Sequence, residues 1–324
     1  MATKKAEETF RTSIGGQALI EGIMMRGPKK QAIAVRKPDG EIEVRTEDLK
    51  LTGDKHPILK WPIIRGTVNL LASMVNGVKA LTYSAQFMPE EEQEEPSKLD
   101  KWIEEHFSSE TAEKLIIGLV VVLGVGLAVV LFFMLPTFLA SLLDPVLGNG
   151  IWYNLVEGVI RMAIFIAYIW LVSRMKDIRR VWMYHGAEHK TIFCYEAGLE
   201  LTPENAGKQP RCHPRCGTSF MILVMLISIL VFSLVRIPGE GWNKAVTVLV
   251  RMGVRILLLP VVIGVSYELI KYAGRHDNWF TKVISAPGKA LQRLTTAEPD
   301  VSMLEVAIAA LKPVLPETKG EDRW

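Results

Sequence analysis

The sequence predicts a mostly α-helical, polytopic membrane protein, with about four transmembrane helices and a small N-terminal β unit on the cytoplasmic side. Three observations carry this. Four stretches are apolar over about 15–25 residues, and about 20 suffice to cross roughly 30 Å of hydrocarbon. Of 324 residues 49% are hydrophobic and mean hydropathy is above zero, yet 23% are charged, so aqueous segments large enough to fold accompany the spans. Near the N-terminus, two short β-prone runs flank a Pro-Asp-Gly turn.

Residues 1–60 make the cytoplasmic β unit. Gln31–Arg36 and Glu41–Thr46 flank Lys37-Pro38-Asp39-Gly40, where proline presets the turn and glycine supplies positive φ. The run from Gly15 to Gly22 reads as a further strand that begins at a close backbone approach. Residues 61–98 hold an amphipathic helix and a linker. With Pro62 at its first turn, the helix runs to Phe87 and places Ile64, Val68, Leu71, Val75, Val78 and Leu81 near 3.6-residue spacing. Arg65 and Lys79 favour an interfacial or packed helix over a fifth membrane element. Glu90 to Pro96 is an acidic, solvated linker.

Residues 99–271 form the membrane domain, with spans at about 115–135, 151–173, 218–235 and 246–270. The second contains Glu157 and Arg161 at i, i+4. These read as paired charges that fix topology together with Asp144, Arg251 and Arg255, the alternative being an ion or proton pathway. Arg251 and Arg255 leave the fourth span a clean apolar run only from Ile256 to Ile270, which suggests a shortened, tilted or re-entrant helix. Residues 272–324 are a C-terminal cytoplasmic segment. In it Ser302-x-x-Glu305 opens a short helix with Leu304, Ala307, Ile308 and Leu311 on its apolar face.

Orientation follows from Lys and Arg in the short loops. Residues 136–150 contain none, whereas 174–217 contain eight. The 174–217 loop and both termini are therefore expected in the cytoplasm. Residues 1–13 are polar and lack an apolar signal-peptide core. Net charge of +3 gives no basic surface for nucleic acid, and three cysteines fit a reducing compartment better than a disulfide framework.

The chemistry concentrates in the 174–217 loop. On a helix, His185, Glu188 and His189 share one face, and Glu196, seven residues beyond His189, joins the same stripe. Two imidazoles one turn apart can bind a divalent metal, zinc first, and the carboxylate beside them can act as base. H-x-x-E-H is the inverzincin order. Glu196 and Glu268 are candidates for a third ligand; the competing reading is a polar helix face with hydrogen-bonded histidines. Cys212, His213 and Cys216 form a second cluster with C-x-x-x-C spacing, which reads either as soft-metal ligands or as the tight turn entering the third span. His56, His106, His276 and Asp277 suggest no site.

Four blocks together resemble the YqhQ-like family of bacterial membrane proteins, domain of unknown function 1385. They are the stretch from Gly15 to Pro28, Tyr184 to Thr191, His213 to Phe220, and Leu291 to Asp300 followed by Glu305 to Ile308. Lys289 stands where that pattern leads one to expect an apolar residue. The resemblance implies residence in the bacterial cytoplasmic membrane and, because the family is described as predicted metal-dependent enzymes, metal chemistry. The expectation is a membrane metalloprotein with His185 and His189 as ligands and Glu188 as catalytic base, hydrolysing a membrane-proximal peptide or lipid. His213, Cys216, Glu21 and Glu196 would complete the first or second shell. The alternative is a scaffold that binds a membrane-protein or peptide partner; four spans with few central polar residues give a transporter little support.

Overall fold

The computed structural model describes residues 10–49, 57–88, 109–148, 150–235, 243–318 and 320–323. The acidic linker, His56 and His106 lie outside them. The chain divides into two compact units: Met1–Met88, Ile169–Ile227 and Pro260–Trp324 form one, Pro89–Tyr168 and Ser228–Leu259 the other.

The first unit contains an antiparallel sheet of four strands in chain order: β1 (Gly15–Leu19), β2 (Gly22–Arg26), β3 (Lys30–Arg36) and β4 (Ile42–Asp48). The turn at Lys37–Gly40 joins β3 to β4 as expected, with Gly40 at φ 90°. The run from Gly15 to Gly22 holds the expected strand, β1, which ends at Leu19 and turns into β2 at Gly22. Leu19 pairs with Gly22 around a tight turn in which Glu21 takes φ 50°. Both faces of β2 and β3 are covered, which is why these strands are apolar at successive positions rather than alternating. Ile23, Met25, Ala32 and Ala34 enter one core; Met24, Ile33 and Val35 join Leu19 and Ala80 in the other.

Ala80 belongs to α1 (Ile64–Ala85). This helix begins two residues after Pro62 because Ile63 sits at φ 72°, a left-handed conformation that a helix cannot include. Further along the chain come α2 (Ser109–Val129), a π-helical turn (Val130–Met134), α3 (Leu135–Ser141), the short α4 (Asp144–Leu147) and α5 (Ile151–Val172). Then follow α6 (Lys176–Glu196), α7 (Pro203–Gly207), α8 (Gly217–Leu234), α9 (Lys244–Arg275), α10 (Trp279–Thr295) and α11 (Val301–Leu311). Within the first unit α1 is tied to α9. Arg65 forms an ion pair with Glu268, Thr67 Oγ1 donates to the Pro260 carbonyl at 3.1 Å, and Asn69 Nδ2 donates to the Tyr267 hydroxyl at 2.9 Å.

Among the described residues, four helices are long and apolar enough to cross a membrane: Leu115–Ser141, Ile151–Val172, Gly217–Leu234 and Ala245–Arg275. The fourth is neither shortened nor re-entrant; α9 is one helix of 32 residues. Its arginines are accommodated by partners in the second unit. Glu157, 1% exposed, accepts from Arg161 at 2.8 Å, from Arg255, and from the Thr137 hydroxyl at 2.9 Å, while Arg251 lies 4.2 Å from the Tyr153 ring centroid. Arg161 has a second duty. Pro136 has no N–H to offer the carbonyl four residues before it, and Arg161 Nε donates to that Phe132 oxygen at 2.8 Å.

Two C-terminal helices complete the first unit. The sequence reading has no counterpart to α10, which Asn278 and Thr281 start with a reciprocal capping box. Helix α11 forms where expected, but its cap is Asp300 rather than Ser302. Asp300 accepts from the Met303 N–H at 2.9 Å, and Glu305 turns away to pair with Arg36 at 2.7 Å. Met303, Ala307 and Leu311 are fully buried beside Tyr184 and Ala187 of α6.

Candidate metal centre

Helix α6 presents its polar stripe to the interior of the first unit. From Tyr184 to Ile192 every residue is buried. Burial of so many polar groups calls for partners, and those of His185, Glu188, His189 and Lys190 come from other segments of the chain. Lys190 Nζ donates to the carbonyls of Gly207 and Gln209 at 2.8 and 2.9 Å and pairs with Glu298. This fastens the 207–211 loop against the helix. At Gly186 the C-terminal segment approaches so closely that an added Cβ would lie 2.1 Å from the Ala297 carbonyl oxygen.

The two histidines are then oriented by backbone. His185 Nδ1 lies 2.8 Å from the Thr295 carbonyl, and His189 Nδ1 lies 2.6 Å from the Arg211 carbonyl. A carbonyl only accepts, so both Nδ1 atoms carry protons and both Nε2 atoms face inward. His185 Nε2 is 3.1 Å from Cys216 Sγ, and His189 Nε2 is buried without a hydrogen-bond partner. Ligand atoms of His185, His189 and Cys216 all lie within 4.8 Å of one another. Cys216 stands at the start of α8, in a loop held by Gln292 of α10. The Gln292 side chain accepts from the His213 N–H and donates to the His213 carbonyl, both at 2.7 Å.

Glu188 lies on the same stripe, 5% exposed, and accepts the Gly16 N–H from β1 at 2.9 Å. An added Cβ at Gly16 would come within 2.7 Å of the Met24 carbonyl oxygen and 3.0 Å of the Glu188 carboxyl carbon, so the close backbone approach expected there is made to the neighbouring strand and to this carboxylate. Burial pushes the Glu188 carboxyl above its ordinary value, against the pull of His189 and His185. Burial also opposes charge on His185 and Cys216. Their mutual attraction overrides it, carrying His185 up to about 9 and holding the Cys216 thiol well below its usual range, with His189 contributing to the latter. The cluster thus brings together the Cys216 sulfur and two inward-facing imidazole nitrogens, one of them without a hydrogen-bond partner.

The remaining sequence candidates fall around this group rather than within it. Glu196 forms an ion pair with Arg215 and accepts the Thr12 N–H at 2.8 Å. His213 Nε2 is 3.6 Å from Glu196, and burial lowers its pKa to about 4. Its ring lies 5.6 Å from that of His189. Glu21 is held by Arg180 and by the Tyr184 hydroxyl at 3.2 Å, and Glu268 by Arg65. Three positioning residues escaped the sequence reading: Lys190, Gln292 and Thr295. The first lies inside the Tyr184–Thr191 block. Gln292 and Thr295 sit in the Leu291–Asp300 block, where polar residues at helical spacing were a signal for a buried, functional face.

A profile of the family described as "Protein of unknown function (DUF1385)" matches residues 61–317. The chain belongs to this family. The uncharacterized protein YqhQ of Bacillus subtilis (strain 168) is 32% identical over 303 residues, covering 93% of this chain and 92% of that protein. No solved structure matches. The family label carries no reaction, so the chemistry of the DUF1385 member described here rests on the geometry above.

Proposed function

We propose that the protein is a membrane-embedded metalloenzyme with a divalent ion, zinc first, held by His185 Nε2, His189 Nε2 and Cys216 Sγ. One observation carries the reading: a buried imidazole nitrogen without a hydrogen-bond partner sits beside a second imidazole and a thiolate, each oriented by the rest of the fold. Leaving a buried polar atom unpaired costs about 1–3 kcal/mol, and a cation recovers it. Two nitrogens and a sulfur are a donor set that zinc accepts, and three protein ligands are the number that leaves a position for substrate. Backbone carbonyls on both Nδ1–H groups supply the outer shell such ligands need.

When bound, the ion would supply Lewis-acid polarisation of a carbonyl or phosphoryl oxygen. Glu188 would move the proton. Burial, against the pull of the two imidazoles, raises its carboxyl toward the range in which a general base works best. The favoured reaction is hydrolysis of a membrane-proximal peptide or lipid. The distribution of Lys and Arg supports a multi-pass protein of the bacterial cytoplasmic membrane with both termini and the metal centre in the cytoplasm. A second reading, a scaffold for a membrane-protein or peptide partner, draws on one contact. Glu188 ties β1 to α6 through Gly16, a structural use that needs no chemistry.

Metal analysis of detergent-purified protein tests the first reading, with close to one ion per chain expected. His189→Ala should release it to chelators, since two remaining ligands hold a metal poorly. Glu188→Gln should keep metal and fold while removing activity in complementation of a deletion strain. Stoichiometric metal in a His185→Ala/His189→Ala double variant overturns the site. Full rescue by Glu188→Gln removes Glu188 as base and leaves the scaffold reading ahead.

A further inference from the structure

A second feature of the first unit lies outside the metal cluster. A cleft of about 460 Å³ is formed where the end of α6, the loop before α8, the end of α9 and the exposed side of α10 meet the N-terminal segment. Its apolar surface includes Phe10, Phe193 and Ala273, and four cations line it: Arg11, Arg215, Lys282 and Lys289. Only two carboxylates, Glu196 and Asp277, stand against them. Glu196 is taken by Arg215. Asp277 is shared by Arg11 at 3.3 Å and Lys282 at 3.6 Å, and Lys289 has no ion-pair partner among the described residues. The cleft therefore carries about two uncompensated positive charges above an apolar floor, a combination suited to an anion that is itself attached to something apolar.

Its depth is set by two independent features. The apolar span that ends at Arg275 has 31 residues. At about 1.5 Å per residue this is roughly 46 Å, close to the 40–45 Å of a bilayer with its headgroups. Ala273, His276 and Asp277 thus fall at headgroup level. Directly after the span, α10 leaves Trp279, Phe280 and Val283 exposed, 77% in the case of Trp279. Aromatic side chains in such a position anchor a helix at the membrane interface.

We propose that this cleft binds the phosphate-bearing headgroup of an anionic glycerophospholipid, with Lys282 and Lys289 contacting the phosphate and Phe10 and Phe193 the glycerol end of the chains. The site goes beyond the metal centre and does not depend on it, although Phe193 packs 4.6 Å from His213 and so places the lipid's edge near that centre. A soluble phosphate shares the charge chemistry but not the apolar floor or the depth.

The test uses full-length protein in nanodiscs of phosphatidylcholine with and without phosphatidylglycerol, reading co-purified lipid by native mass spectrometry. Wild type should retain phosphatidylglycerol over phosphatidylcholine by about tenfold, the scale of one charge-assisted contact. Lys282→Gln/Lys289→Gln should bring the ratio near unity with metal content unchanged, and Lys282→Arg/Lys289→Arg should keep it. If the paired Gln variant fails to purify, Lys289→Gln alone, at an exposed residue with no ion-pair partner among the described residues, should still reduce the ratio severalfold. No preference in wild type, or an undiminished preference in the Gln variants, overturns the proposal. So does inorganic phosphate at millimolar concentration displacing the lipid, which would make the ligand a soluble anion.

Discussion

An α-carbon hydrogen is the only substituent that fits at position 186. The Ala297 carbonyl oxygen occupies the place of a Cβ, and the Ala297 N–H donates to the Trp182 carbonyl at 2.9 Å, so the segment that orients His185 through Thr295 lies directly on α6. Gly186→Ala must push that segment away. Overpacking of this kind costs about 1–3 kcal/mol, and here it should also loosen any ion held at the proposed metal centre, because the Thr295 carbonyl moves with its neighbours. A thermal shift in detergent read together with metal content checks this; lost stability with full metal retention would separate the two. Glu196 gives a pH prediction of definite sign. Burial pushes its carboxyl up, but His213, Arg215 and the Thr12 N–H outweigh burial and leave it below its ordinary value. A depressed carboxylate stabilises the fold above its unfolded pKa, and that contribution disappears as pH falls through the folded value. Wild type should therefore exceed Glu196→Gln in melting temperature at neutral pH, and the gap should close on acidification below about 4. A constant gap would place the effect elsewhere. At this scale the sequence shows the ligand types but not their grouping. His185 and His189 share a helix face by periodicity, whereas Cys216 joins them from the loop before α8, and no local pattern distinguishes it from Glu196 or Glu268.

Among the elements, the buried charges of the second unit decide the most. Linear spacing pairs Glu157 with Arg161, and that pair forms; Arg255, nearly a hundred residues away, shares the same carboxylate. This long-range partner is why the fourth apolar helix runs unbroken through two arginines, and why its sequence alone reads as too short. Removing Glu157 leaves two guanidinium groups facing one another out of water. Breaking a buried pair in this way costs about 3–5 kcal/mol. Glu157→Ala should fail to accumulate in membranes or should melt far below wild type, whereas Thr137→Val, which removes one neutral hydroxyl, should cost about 1–2 kcal/mol. Comparable losses in the two variants would mean that Glu157 is not the centre of the network. The helix boundaries teach a related lesson. Ser302-x-x-Glu305 satisfies the capping pattern, but Asp300 two residues earlier is an equally good acceptor, and burial of Met303 and Leu304 selects the longer helix. Helix α10 stayed hidden behind Pro287, although Asn278 and Thr281 mark its start and Leu291, Gln292 and Thr295 its buried side.

For the molecule as a whole, orientation controls what the proposed metal centre and the proposed lipid cleft can meet. Positively charged loops stay in the cytoplasm because moving Lys and Arg across the membrane is costly and opposed by the membrane potential, so the side richer in them is retained. Here the contrast is eight residues in 174–217 against none in 136–150. An even number of spans returns the C-terminus to the side of the N-terminus, and the four apolar helices satisfy that. Reporter fusions at Lys101, Lys208 and Thr318 should then be active only in the cytoplasm, and fusions at Asn149 and Gly241 only outside. If α1 were a fifth crossing, Lys101 would still report with Lys208, but a fusion within residues 10–49 would report on the opposite side. Adding that site separates a surface helix from a spanning one. A cytoplasmic signal from all of residues 10–49, Lys101, Lys208 and Thr318 establishes four spans with the α6 stripe facing inward. An external signal at Lys208 would move the histidine cluster to the outer face, where a reduced Cys216 thiolate is exposed to oxidation, and would remove the cytoplasmic substrate assignment along with it.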